Sequence, residues 1–186
     1  GLAPVSVVAT DARTIALGNI NATDVLLGSN TLELGGGYIY NLRDSGGAYL
    51  SAAGENLTGG GLVKVGPGTL YVYGPSYGFD PVSGSYQPSY NVISGPTVVR
   101  GGSLYLSNRL TNVTVEAAGT LQGGGFIDGR LVNHGRVTSA PLTVNGDFVQ
   151  SAGGTFAPYI AYYTPGYPLP AGLTITGNAS LAGTLS

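Results

Sequence analysis

A three-residue signature recurs along this chain and constrains its fold more than any other feature. Each copy has a glycine, which can adopt a positive φ at a turn, then a small hydroxyl residue and a bulky apolar residue. The copies are Gly68-Thr69-Leu70, Gly102-Ser103-Leu104, Gly119-Thr120-Leu121, Gly154-Thr155-Phe156 and Gly183-Thr184-Leu185, with a weaker one at Gly135-Arg136-Val137. Upstream, Leu32 and Leu50 lie 18 and 20 residues before the next leucine of the series. This periodicity is typical of stacked repeats and predicts about eight coils.

Residues alternate within each copy as in a strand with one buried face. Leu70 and Val72 are expected to point inward with Tyr71 and Tyr73 outward, and Tyr105 is expected to lie outside next to Tyr71. Aligning the copies predicts one interior column: Leu32, Leu50, Leu70, Leu104, Leu121, Val137, Phe156 and Leu185.

The composition agrees with an all-β chain. Charged residues make up 9% of the sequence, against about 25% in an ordinary soluble domain, and 33 residues are glycine. Short second strands fit the same coils at 97–99, 113–115, 131–132 and 173–175, and no segment has capped helical periodicity. We therefore predict a right-handed, single-stranded parallel β-helix (a β-solenoid) over residues 1–186, as a single segment.

Two stretches rich in proline and tyrosine interrupt the period, at 75–94 and 158–170. Proline cannot donate to a strand ladder, so both are predicted to be protruding loops or hairpins. Large amphipathic side chains of this kind either cover the flank of the rod, which we favour, or anchor an interface. The candidate contact residues are Tyr77, Phe79, Tyr86, Tyr90, Tyr159, Tyr162, Tyr163 and Tyr167.

The residues Gly61-Leu62-Val63-Lys64-Val65-Gly66-Pro67-Gly68-Thr69-Leu70, followed by Thr97-Val98-Val99-Arg100-Gly101-Gly102-Ser103-Leu104, resemble the passenger-associated repeat of bacterial autotransporters. The loop between the two parts is longer here. The resemblance implies a fragment of a longer passenger, secreted by a Gram-negative bacterium to its cell surface. Its implied partners are the protein's own C-terminal outer-membrane β-barrel and an upstream passenger region, in some members a subtilisin-like protease.

No recognisable active site accompanies this pattern. His134 is the only histidine and is expected to be a solvated turn residue, while the nine carboxylates are scattered singly. We expect no catalytic residue, cofactor or metal site in this segment. The seven basic residues form no cluster, so no nucleic acid partner is expected.

Three functions follow as hypotheses. The leading one is a structural stem that spaces an upstream domain from the cell surface and folds progressively from its C-terminal end. The alternative is an adhesin or self-association module that contributes to virulence by binding a host surface, carbohydrate or another copy. A third is an enzyme acting on polysaccharide, for which no pair of carboxylates is selected by the spacing.

Overall fold

A computed structural model describes residues 14–26, 31–43, 61–73, 76–80, 85–89, 95–158 and 172–186. These residues contain sixteen strands and no helix, as expected for an all-β chain. The strands are β1 Thr14–Leu26, β2 Thr31–Arg43, β3 Leu62–Lys64, β4 Thr69–Val72, β5 Ser76–Asp80, β6 Ser85–Ser89, β7 Thr97–Val99, β8 Gly102–Leu106, β9 Arg109–Val115, β10 Gly119–Asn133, β11 Arg136–Asn145, β12 Phe148–Gln150, β13 Thr155–Pro158, β14 Leu173–Ile175, β15 Ala179–Leu181 and β16 Thr184–Leu185.

Fourteen strands form one sheet in which every pairing is parallel, whereas β5 and β6 form a separate antiparallel pair. Seven strands of the large sheet close into a circuit, in the order β10, β8, β4, β2, β3, β7, β9 and back to β10. The circuit closes because the start of β10 pairs with β8 and its end pairs with β9. The long strand β10 thus pairs with β8 along its first part and with β9 along its second part.

The pairings arrange the large sheet in three stacks of strands. Stack A contains residues 15–17, 32–34, 62–64, 97–99, 113–115, 131–133, 148–150 and 179–181, each paired with the next. We call each level of the stack a layer. Between Thr97 and Phe148, successive layers are 16 to 18 positions apart.

Stack B confirms most of the predicted interior column. Leu70, Leu104, Leu121, Val137, Phe156 and Leu185 occupy the same position in six successive layers. The placement of Leu32 in this column was wrong, because Leu32 pairs with Leu62 in stack A and Gly37 holds the position next to Leu70. Leu50 lies outside the described residues.

Stack C was not foreseen. It pairs Leu110 with Ile127, Ile127 with Val144, and Val144 with Ile175. The predicted strand at 173–175 therefore forms, but it belongs to stack C, whereas the strands at 97–99, 113–115 and 131–133 all belong to stack A.

The inward residues of the three stacks form one core. Leucine, valine and isoleucine dominate it, and nearly all are less than about a fiftieth exposed. In the last described layer, no further described layer covers the inward leucines, so Leu181 is 68% and Leu185 is 74% exposed.

The signature glycines serve the corners between stacks A and B. Gly102 has φ +62° and Gly183 has φ +78°, a backbone region that side chains with a Cβ rarely adopt. A Cβ on Gly102 would also collide with the carbonyl oxygen of Gly68 in the preceding layer. The expectation of a positive φ is therefore confirmed at Gly102 and Gly183, but it was wrong at the other signature glycines, Gly68, Gly119, Gly135 and Gly154, which do not have a positive φ.

The interruption at 75–94 contains the β5–β6 hairpin, so its prediction as a loop or hairpin is confirmed for the described part. Pro158, the first residue of the second interruption, ends β13. Residues 159–170 lie outside the described residues.

Candidate interaction surface

Three of the eight predicted contact residues lie on the hairpin. Tyr77 pairs with Pro88, and Phe79 pairs with Tyr86 across the two strands. The hairpin register thus brings the backbones of Phe79 and Tyr86 opposite each other. Tyr90, Tyr159, Tyr162, Tyr163 and Tyr167 lie outside the described residues.

A different aromatic cluster stands on the outward side of stack B. Tyr38, Tyr71 and Tyr105 occupy one outward position in three successive layers, and Tyr73 lies two residues after Tyr71. We call these four residues the tyrosine ladder. The prediction that Tyr71 lies next to Tyr105 outside the core is confirmed by their ring centroids, which are 5.5 Å apart.

The ladder rings are stacked at one end and tilted at the other. Tyr38 and Tyr71 are 4.9 Å apart with 8° between their planes, and Tyr38 and Tyr73 are 6.1 Å apart with 5°. Tyr105 is tilted by 39° from Tyr71 and by 51° from Tyr73. Tyr38 is 42% exposed, and the other three are partly exposed.

Uncharged polar residues continue the ladder. Gln122 follows Tyr105 in the next layer, and its Nε2 donates to Ser103 Oγ at 3.0 Å. Beside the tyrosines, Thr69, Ser103 and Thr120 occupy another outward position in successive layers. These side chains form a row of hydroxyl groups parallel to the ladder.

A buried lysine lies at the corner between stacks A and B. The side chain of Lys64 points inward between Leu34 and Val99 of the neighbouring layers, and the residue has no exposed surface. Its Nζ donates to the carbonyl oxygens of Val65 at 2.6 Å, Gly66 at 2.9 Å and Gly101 at 3.0 Å. Burial lowers the pKa of Lys64, because desolvation penalises the charged form.

Two buried amides occupy the same position in later layers. Asn133 Nδ2 donates to the carbonyl oxygen of Thr155 at 3.0 Å, and Gln150 Nε2 donates to that of Ala182 at 2.6 Å. Gln150 also donates to the carbonyl oxygen of Thr184 at 3.2 Å. We call Lys64, Asn133 and Gln150 the corner clasps, since each donates from one layer to a backbone carbonyl of the following layer.

The described carboxylates near cations are held in ion pairs. Arg100 lies 3.7 Å from both Glu33 and Glu116. Arg109 contacts Asp128 at 2.7 Å and also lies 5.0 Å from the ring centroid of Phe126.

Other candidates for chemistry are sparse in the described part of the chain. His134 is exposed at a corner, where its backbone N–H donates to Val115, as expected for a turn residue. Within the described ranges, no three His, Cys, Asp or Glu side chains are grouped so that they could hold a metal ion. The described residues also include no helix able to cross a membrane.

Sequence reasoning missed two features that alternation could have revealed. Lys64 is two residues after the inward Leu62, so its own strand directs it inward. Tyr38 directly precedes the inward Ile39 on β2, so alternation with Ile39 places it outward.

Comparison of the chain with family models, with curated proteins and with solved structures finds no match in any of the three.

Proposed function

We propose that this chain is part of a right-handed, single-stranded parallel β-helix that acts as the structural stem of a secreted, surface-exposed autotransporter passenger. One observation carries the proposal: equivalent residues of stack A pair through eight successive layers. A chain that winds once per layer produces such a pattern, because each strand then pairs with the strand one turn further on. The right-handed sense follows the general preference of parallel crossovers.

A stem needs stiffness and length, and stacked layers supply both. Each layer pairs with the layers next to it, so stability accumulates layer by layer. In this role the chain spaces an upstream passenger region, such as a protease domain, from the protein's own C-terminal β-barrel in the outer membrane. The stem itself carries no catalytic function in this proposal.

The corner clasps support folding that proceeds from the C-terminal end. Gln150 needs the carbonyl oxygens of Ala182 and Thr184, and Asn133 needs that of Thr155. A buried amide without its partner costs about 1 to 3 kcal/mol. A layer that forms on an existing C-terminal neighbour can pair its clasp at once, whereas one that forms first leaves the clasp in water until the following layer covers it, and must then align both layers to avoid this cost.

Pulse-labelled hydrogen exchange during refolding of the chain tests this order. We expect the amides of Ala182 and Ser151 to gain protection before those of Val65 and Leu32, which are all hydrogen-bonded between layers. Protection that begins at Leu32, or that appears in all layers at once, would contradict progressive folding from the C-terminal end.

The tyrosine ladder favours a second function, contact with a host surface, a carbohydrate or another copy of the chain. It places four aromatic side chains on the outward side of the sheet, and tyrosine is a frequent interface anchor. The two functions are compatible, because the stem depends on inward residues and the contact function on outward ones.

A further inference from the structure

The outward side of stack B combines aromatic rings with uncharged polar groups. We infer that this side, formed by the tyrosine ladder with Thr69, Ser103, Thr120 and Gln122, binds an uncharged polysaccharide chain that lies along the stacking direction. The inference deepens the contact function proposed above and is independent of the stem function.

The stacked rings overlap only in part, so the ladder offers aromatic surface to a ligand. Parallel rings in contact are about 3.5 to 4 Å apart, whereas the centroids of Tyr38, Tyr71 and Tyr73 are 4.9 to 6.1 Å apart. Each ring is therefore offset from its neighbour, and all four tyrosines keep exposed surface. The tilt of Tyr105 turns its plane away from the stack. The C–H faces of sugar rings pack on surfaces of this kind.

The hydroxyl row supplies the polar half of the site. Thr69, Ser103 and Thr120 recur once per layer beside the tyrosines, and Gln122 is fixed by its hydrogen bond to Ser103. Hydroxyl and amide groups donate and accept hydrogen bonds, as sugar hydroxyls do. A few such groups beside aromatic side chains are the usual means of orienting a ligand.

The charge of the site residues indicates which class of polysaccharide the site can bind. The eight residues of the site are all uncharged, and the first charge along the hydroxyl row is Arg136, one layer beyond Thr120. An acidic glycan or a nucleic acid would need several cations along its length. The site therefore fits a neutral chain.

The repeat of the site favours a linear polymer over a folded protein partner. Parallel strands are about 4.8 Å apart, which is close to the length of one sugar unit in an extended chain. The aromatic and hydroxyl contacts recur in two successive layers, at Thr69 with Tyr71 and at Ser103 with Tyr105, and Thr120 with Gln122 continues the polar contacts in the next. A protein interface would be expected to centre on a well-packed apolar core. Here a hydroxyl side chain lies beside the tyrosine in both the Tyr71 layer and the Tyr105 layer.

The test measures binding of the purified chain to cellohexaose and mannohexaose as uncharged probes and to a hyaluronan oligosaccharide as an acidic probe, by calorimetry. We expect at least one uncharged probe to bind, and the double variant Tyr71→Ala/Tyr105→Ala to weaken that binding about tenfold or more. Phe126→Ala is the matched control, because it removes a partly exposed aromatic residue from stack C. We expect it to leave binding unchanged.

Circular dichroism and thermal unfolding of both variants separate lost binding from lost folding. If the double variant does not fold, Tyr71→Phe and Gln122→Ala test the polar contacts alone and are expected to weaken binding. Preference for the acidic probe, or self-association that the ladder variants abolish, would overturn the inference while leaving a contact function in place. No binding to any uncharged probe would also overturn it, and the order of refolding would remain a separate test of the stem.

Discussion

At the scale of single residues, Lys64 is the least expected member of the core. An ammonium group is costly to bury, and here three carbonyl oxygens at one corner compensate for that cost. Two of them belong to its own layer and the third, from Gly101, to the next. Lys64 therefore links the layers on either side of the hairpin insertion.

Replacement of Lys64 tests this role. We expect Lys64→Met to lower the free energy of unfolding by about 1 to 3 kcal/mol at neutral pH, because it leaves carbonyl groups at the corner without a donor. Urea denaturation followed by circular dichroism measures the change. A variant as stable as the original chain would show that the clasp adds no net stability.

The stability difference between the original chain and Lys64→Met is also expected to depend on pH, and the sign of this dependence can be derived. The pKa of Lys64 is lowered in the folded chain, so between that value and its ordinary value of 10.5 the unfolded state binds more protons. The contribution of Lys64 to stability therefore rises with pH in this alkaline interval. We expect the stability difference between the original chain and Lys64→Met to widen as the pH approaches 10.5, and a narrowing difference would contradict the assignment.

Single residues also show how far the sequence could be interpreted. The column from Leu70 to Leu185 was predictable, because a glycine and a hydroxyl residue precede each of its members except Val137. Leu32 was misplaced because the leucines of stack A alternate with outward residues in the same way as those of stack B. Periodicity identifies an inward residue, but it does not identify the stack to which that residue belongs.

At the scale of elements, the hairpin is an addition to a layer that is otherwise ordinary. Leu106 in stack B is followed seven positions later by Val113 in stack A, whereas Val72 is followed by Thr97 only after the 75–94 insertion. Removing residues 76–93 would give Val72 and Thr97 the same seven-residue spacing.

We expect this deletion to change the free energy of unfolding by no more than about 1 kcal/mol, because the described strands of the insertion pair only with each other and shortening a loop has a small entropic effect. Thermal unfolding by circular dichroism is the measurement. The point substitution Tyr77→Ala, within the hairpin, controls for the loss of a hairpin side chain without removal of the loop. Loss of cooperative unfolding on deletion would mean that the hairpin supports the large sheet.

Stack C shows that the sequence pattern does not predict every strand of the sheet. Three of its four strands lie within longer strands, as in β10, where Gly119–Gly123 pairs in stack B and Phe126–Asp128 in stack C. Glycines 123–125 separate the two parts, but the segment 126–128 is too short to show strand alternation, so no strand was predicted there. Three of the four ladder tyrosines, Tyr71, Tyr73 and Tyr105, were predicted to point outward, and Tyr38 was missed because it belongs to no copy of the signature.

At the scale of the whole molecule, the three stacks make the chain modular. Val113 and Leu131 are equivalent positions in successive layers, 18 residues apart, and the residues between them supply one strand to each of stacks B and C. A complete layer can therefore be removed with its neighbours still in register. Part of a layer cannot, because one stack would then lack a strand.

The most direct test of this account compares two deletions by thermal unfolding. Removing residues 114–131 takes out one complete layer, and we expect cooperative unfolding with only a modest loss of stability, as in other stacked repeats. Removing residues 114–122 takes out half as many residues but eliminates the strand of stack B that contains Leu121. We expect this shorter deletion to lower the melting temperature by at least about 10 °C or to prevent folding, because it leaves a gap between Leu104 and Val137. If the longer deletion were the more damaging of the two, the chain would not be built from equivalent layers.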